Sequence, residues 1–110
     1  MKTYVIDIDG TICDNKIKES SCYSESAPKL ERIKKINKLF EEGNKIIYLT
    51  ARGMGRFNNN PLFATQELYS LTEAQLKTWG CKYHSLFLGK PSGDIYIDDK
   101  GINDEDFFTD

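Results

Sequence analysis

The chain has 110 residues, 39% of them hydrophobic and 29% charged, with 15 Lys and Arg against 17 Asp and Glu for a net charge of -2. That length holds a single hydrophobic core, and that composition excludes a disordered chain. The near balance of charge excludes a general pull toward nucleic acid or an anionic membrane, so affinity for a phosphorylated ligand has to come from a local site.

No apolar run reaches transmembrane length. The start Met1-Lys2-Thr3, with an aspartate already at position 7, is not the pattern of a signal peptide, and a cytoplasmic protein is expected. Cys13, Cys22 and Cys81 are odd in number and lack metal-ligand spacing, so reduced thiols are expected.

Tyr4-Val5-Ile6 with Ile8 is a nearly continuous apolar run, the pattern of a strand buried on both faces, and it closes on Asp7 and Asp9. Residues 15–25 are polar and irregular. Leu30, Ile33, Ile36, Leu39 and Phe40 then recur at helical spacing over about residues 28–42. Ser26 is the candidate N-cap, and Gly43 suits the left-handed position after the end. The lysines and Arg32 of this stretch interleave with Glu31, Glu41 and Glu42, which reads as a solvated helix face.

Lys45-Ile46-Ile47-Tyr48-Leu49 is a second strand, closed by Thr50. Residues 53–70, with Gly53, Gly55, three asparagines at 58–60 and Pro61, read as loop or partial helix. A short helix is expected over 72–79, with Thr72 and Gln75 as a capping-box pair, Leu71 and Leu76 as a staple, and Gly80 at its end. Ser85-Leu86-Phe87-Leu88 is a third strand followed by Lys90, and Ile95-Tyr96-Ile97 a fourth closed by Asp98-Asp99. This order predicts an α/β fold: one Rossmann-like three-layer domain over 1–110, with a mostly parallel sheet and right-handed crossovers.

In such a sheet Asp7, Asp9, Thr50, Lys90, Asp98 and Asp99 converge on one edge, where ligands bind in open α/β folds. Two carboxylates about 4 Å apart repel by roughly 4 kcal/mol at an effective dielectric of about 20. Gathering four of them calls for a cation, and hard oxygen ligands without His or Cys point to Mg²⁺. A metal plus Lys90 would in turn favour a phosphate dianion.

The ordered stretches Asp7-Ile8-Asp9-Gly10-Thr11, Ile47-Tyr48-Leu49-Thr50, Gly89-Lys90-Pro91 and Ile95-Tyr96-Ile97-Asp98-Asp99 span nearly the whole chain. Together they resemble the haloacid dehalogenase-like (HAD) superfamily of phosphatases and phosphotransferases. The resemblance implies that Asp7 attacks phosphorus to form an aspartyl-phosphate. It implies that Asp9 protonates the leaving oxygen and then activates water, and that an acid at this second position favours hydrolysis. Thr50 would bond a phosphoryl oxygen and Lys90 would neutralise charge. Mg²⁺ would be held by Asp7, Asp9, Asp98 and Asp99, and the phosphoryl group or substrate by Gly10, Thr11, Thr50, Ala51, Arg52 and Lys90.

Only 38 residues separate Thr11 from Thr50, and 39 separate Thr50 from Lys90, too few for the cap domain many relatives insert. A capless member is therefore expected, with residues 15–25 as a small flap. Leu49-Thr50-Ala51-Arg52-Gly53, Trp79-Gly80, Tyr83-His84 and Tyr96-Ile97-Asp98-Asp99-Lys100 further resemble small HAD proteins associated with capsule or surface-polysaccharide biosynthesis. That implies a small phosphorylated metabolite such as a sugar phosphate as partner, with no nucleic acid and no membrane.

A nucleic-acid end phosphatase is a second reading, against which no basic groove is evident; a binding or regulatory module with a vestigial site is a third. Arg52 is a candidate for a substrate anion, Arg56 a weaker one, and His84 reads as structural. Phe107 and Phe108, in an acidic final stretch, are expected to be buried in a homo-oligomer.

Overall fold

The computed structural model describes residues 1–15, 23 and 26–109. Its elements are β1 (Thr3–Ile6), α1 (Leu30–Glu41), β2 (Lys45–Thr50), α2 (Pro61–Thr78), β3 (Ser85–Leu88) and α3 (Asp104–Phe107). The strands form one all-parallel sheet in the order β1-β2-β3, with Val5 beside Ile47 and Leu49 beside Phe87. The α/β class expected from the alternation of apolar patterns is the class observed.

Which face of the sheet is buried follows from the topology. Strands taken in order, joined by right-handed crossovers, put both intervening helices on the same side. Ile6, Ile46, Tyr48, Leu86 and Leu88 point to that side and join Ile33 and Ile36 of α1 and Leu68 and Leu76 of α2 in one core. On the opposite face Val5 is 59% and Phe87 54% exposed. The sheet and these helices thus make two layers where three were expected, and β1 is not buried on both faces.

Other expectations change with physical cause. Ser26 is buried but does not cap α1, whose flanking residue Lys29 makes no side-chain cap bond. The segment before the helix is instead held to the turn after β1, through the Cys13–Pro28 bridge and Lys29 N–H donating to the Ile12 carbonyl at 2.7 Å. Gly43 has the expected positive φ, +95°.

The largest difference is α2, which begins at Pro61 and not at residue 72. Asn58 and Asn59 take positive φ (53° and 57°), turning the chain. Asn60 then caps the helix, its side chain accepting from Leu62 and Phe63 N–H, and Pro61 sits in the first turn where a missing N–H costs nothing. Residues that looked like a loop are therefore a helix-start signal. Thr72 and Gln75 lie on the buried side of this helix, so they form no capping box there.

Ile95-Tyr96-Ile97 forms no fourth strand, and Ile95 and Ile97 are exposed. The segment closes on itself: the Tyr96 hydroxyl donates to the Pro91 carbonyl at 2.6 Å and accepts from Gly93 N–H at 3.0 Å. Phe107 and Phe108 are not a free aromatic surface either. They fold back on α1, with the Arg32 guanidinium 4.7 Å from the Phe108 ring centre and Lys35 Nζ 4.6 Å from that of Phe107. The expected flap over 15–25 falls largely outside the described residues, as does Cys22. Among the described residues, no helix is long and apolar enough to cross a membrane.

The Asn60 cap yields a test of the α2 start. Asn60→Ala is expected to lower stability by about 1 kcal/mol in denaturant unfolding. An unchanged unfolding midpoint would contradict a helix beginning there.

Candidate active site

The site is built at the carboxyl edge of the parallel sheet. Beyond β1 the chain reverses tightly between two fully buried side chains, Ile8 and Ile12. Thr11 and Ile12 N–H both donate to the Ile8 carbonyl, and Gly10 N–H donates to the Cys13 carbonyl. Gly10 takes φ +82°, a left-handed conformation that glycine adopts without strain. The reversal leaves Asp7 and Asp9 on the edge.

Asp7 is the more open of the two, with its side chain 33% exposed. One carboxylate oxygen accepts from the Thr11 hydroxyl at 3.3 Å, and the other stands 3.7 Å from Lys90 Nζ. Lys90 is delivered by β3: its N–H donates to the Thr50 carbonyl at 3.2 Å, and its ammonium rests 4.3 Å from the Tyr96 ring centre. Gly89 just before it has φ +105°, and a Cβ there would lie 2.9 Å from Pro61 Cβ, so α2 and β3 approach too closely for any other residue. Thr50, buried at the end of β2, accepts the Arg52 N–H at its hydroxyl at 3.1 Å. Asp7, Thr50 and Lys90 thus lie at the ends of neighbouring strands, with the Thr11 hydroxyl on Asp7. Burial pushes the Asp7 carboxyl above its ordinary value, opposed by the adjacent Lys90 ammonium and then by the Ile8 N–H, while the neighbouring Asp9 charge adds to the rise.

Arg52 lies elsewhere than expected. Its side chain is 0% exposed and forks onto Asp9, Nε to Oδ2 at 3.0 Å and Nη2 to Oδ1 at 3.1 Å. Nη1 donates to the Thr72 hydroxyl at 3.3 Å and to Gln75 Oε1. The Tyr23 ring covers the guanidinium at 4.8 Å, and Gln75 Nε2 donates to the Tyr23 carbonyl at 2.6 Å. Arg52 is therefore not a substrate-facing residue. Ala51, half-buried between Thr50 and Arg52, accepts the Met54 N–H at its carbonyl.

Asp98 and Asp99 are not brought to Asp7 and Asp9. Asp98 is exposed and closes its own turn, accepting from Lys100 and Gly101 N–H at 2.7 and 2.6 Å, which holds its carboxyl below the usual range. Among the described residues no three His, Cys, Asp or Glu side chains are grouped to hold a metal ion. The four-carboxylate site is thus not assembled, because the segment expected to deliver half of it folds on itself instead of joining the sheet.

The residues that sequence reasoning missed are those bracing the edge from behind. Lys29 Nζ and Arg32 Nη1 donate to the Gly10 and Thr11 carbonyls at 3.4 and 3.0 Å, fixing the turn, and Arg32 also pairs with Asp104 at 2.6 Å. Gln75, Thr72 and Tyr23 brace Arg52. The signal for Thr72 and Gln75 was available: with Ala64, Leu68 and Leu76 they share one helical face, where two polar residues on an inward stripe imply a buried polar partner. His84 is structural as read, accepting the Ile46 N–H at Nδ1 and packing 4.7 Å from Phe40.

The same fold occurs in the crystal structure of a target protein from Vibrio cholerae, with a TM-score of 0.86 and 25% sequence identity over 97% of this chain and 87% of that one. No family model and no curated protein matches the chain. The likeness concerns architecture; the chemistry has to be read from the edge itself. An open carboxylate beside a lysine and a hydroxyl can attack an electrophile and tolerate the negative charge that builds on it.

Because burial raises the Asp7 carboxyl, its charge opposes folding. That group favours the folded state below its unfolded value of 3.8, and the benefit is lost as pH rises through the folded value. Asp7→Asn should therefore raise the melting temperature at pH 7 in chelator, and the gain should shrink toward zero below pH 3.8. A lower melting temperature at pH 7 would show that the Lys90 contact outweighs burial.

Proposed function

We propose that the chain is a phosphatase of small phosphomonoesters, a capless member of the HAD superfamily that works through an aspartyl-phosphate on Asp7. The observation that supports this most is the Asp7 carboxylate itself: partly open, at a strand end, with Lys90 Nζ at 3.7 Å and the Thr11 hydroxyl at 3.3 Å. In the proposed reaction an Asp7 oxygen forms a bond to phosphorus as the ester oxygen departs, and Asp9 supplies its proton. Water, deprotonated by Asp9, then attacks phosphorus and frees Asp7. Lys90 offsets charge on the nucleophile and the transferring group, with Thr11 and Thr50 as hydroxyls at the same edge.

Mg²⁺ dependence belongs to the proposal on donor chemistry, carboxylate oxygens with no histidine among them. Asp98 and Asp99 do not stand beside Asp7, however, so the steps rest on the chain's own groups. The motif resemblance to capsule-associated relatives favours a sugar phosphate as substrate.

Purified protein should release phosphate from p-nitrophenyl phosphate in Mg²⁺ and lose that activity in EDTA. Asp7→Asn should abolish turnover, and Lys90→Ala should lower kcat by about 100-fold. Undiminished turnover by Asp7→Asn would sink the reading.

A further inference from the structure

A buried arginine that forks onto a half-hidden aspartate can be read simply as a tie between β1 and α2. The hydrogen-bond inventory of Asp9 says more. A carboxylate has about four acceptor positions. Oδ1 receives Arg52 Nη2 at 3.1 Å and the Cys13 thiol at 3.4 Å, whereas Oδ2 receives Arg52 Nε at 3.0 Å. Oδ2 is the oxygen with the spare lone pair. The side chain keeps 15% exposure, so Asp9 is not sealed from the edge.

The clamp is itself clamped. Nη1 of Arg52 is aimed by Thr72 and Gln75, one turn apart on α2, and the Thr72 hydroxyl in turn donates to the Leu68 carbonyl at 2.8 Å. Gln75 uses its other end on the Tyr23 carbonyl, and the Tyr23 hydroxyl accepts the Gly53 N–H at 3.0 Å. Arg52 therefore has its guanidinium plane fixed from two sides, and a fixed guanidinium fixes the plane of a bidentate carboxylate.

We propose that Arg52 is the positioning residue for Asp9, holding its carboxyl group so that Oδ2 faces the leaving group. This rests on the phosphatase reading. As the Asp7 oxygen bonds to phosphorus and the P–O bond to the alcohol breaks, the proton on Asp9 Oδ2 passes to the departing alkoxide and gives the free alcohol. In the second half, water gives a proton to Asp9 Oδ2 while its oxygen bonds to phosphorus, and the bond from phosphorus to Asp7 breaks, releasing inorganic phosphate.

A residue that acts by aiming a proton donor matters in proportion to how much the leaving group needs a proton. Nitrophenolate leaves without one; a primary alkoxide does not. The test measures kcat and KM for p-nitrophenyl phosphate and for a primary alkyl phosphate, with the wild type, Arg52→Gln, Arg52→Lys and Gln75→Met.

For Arg52→Gln, kcat on the alkyl ester should fall by about 100-fold or more, against less than about tenfold on the aryl ester, with KM little changed on either. Arg52→Lys keeps the charge without the fork and should restore part of the alkyl activity. Gln75→Met, a gentler change, should show a smaller version of the same split and carries the test if Arg52→Gln does not fold by circular dichroism. Equal losses on both esters, or a loss expressed in KM, would overturn the inference while leaving the phosphatase reading intact. No turnover of either ester by the wild type would overturn both.

Discussion

The guanidinium of Arg52 is a charge with no access to water, and Asp9 is the carboxylate that answers it. Withdrawing a charge from water costs several kcal/mol and is tolerable only with a paired and fully hydrogen-bonded partner; removing one member of such a pair typically costs about 3–5 kcal/mol. The requirement ties together three parts of the chain: the turn after β1, the loop leaving β2 and the middle of α2. It also explains why α2 carries Thr72 and Gln75 on an otherwise apolar stripe. Once these are in register, Asp9 is fixed and Asp7, two residues earlier, is left as the open carboxylate of the pair.

That division gives two neighbouring acids different environments. Asp9 is matched by a buried cation behind the edge, and Asp7 by a partly exposed one, Lys90, on it. One is held in place and the other stands open at the edge. The turn that follows them is held by Lys29 and Arg32 from α1 and its approach, so positive charge on that helix, which looks like ordinary solvated surface in the sequence, also braces this edge.

Much of this edge was legible in advance, and the reasons it was legible mark where reading stopped. The three strands are short apolar runs bounded by polar turns, with Asp7 just after β1, Thr50 closing β2 and Lys90 just beyond β3, so local pattern suffices. Residues 58–61 failed because positive-φ asparagines, an N-cap and a first-turn proline look like a loop when the helix beyond them is not yet recognised. Ile95-Tyr96-Ile97 has strand composition, but pairing is a tertiary event, and the Tyr96 hydroxyl commits the segment to a local loop. In the sequence Arg52 is only a cation near the edge; whether an arginine faces solvent or a half-hidden aspartate depends on α2, whose first ten residues carry a loop-like pattern.

Covalent phosphorylation of Asp7 is the event on which the proposed chemistry depends most directly. Acid quenching during turnover of a phosphomonoester, followed by borohydride, would reduce an aspartyl-phosphate to homoserine, and peptide sequencing by mass spectrometry would locate it. Homoserine at position 7 is the predicted result. Homoserine at another aspartate, or none in a protein that is visibly turning over, would contradict it.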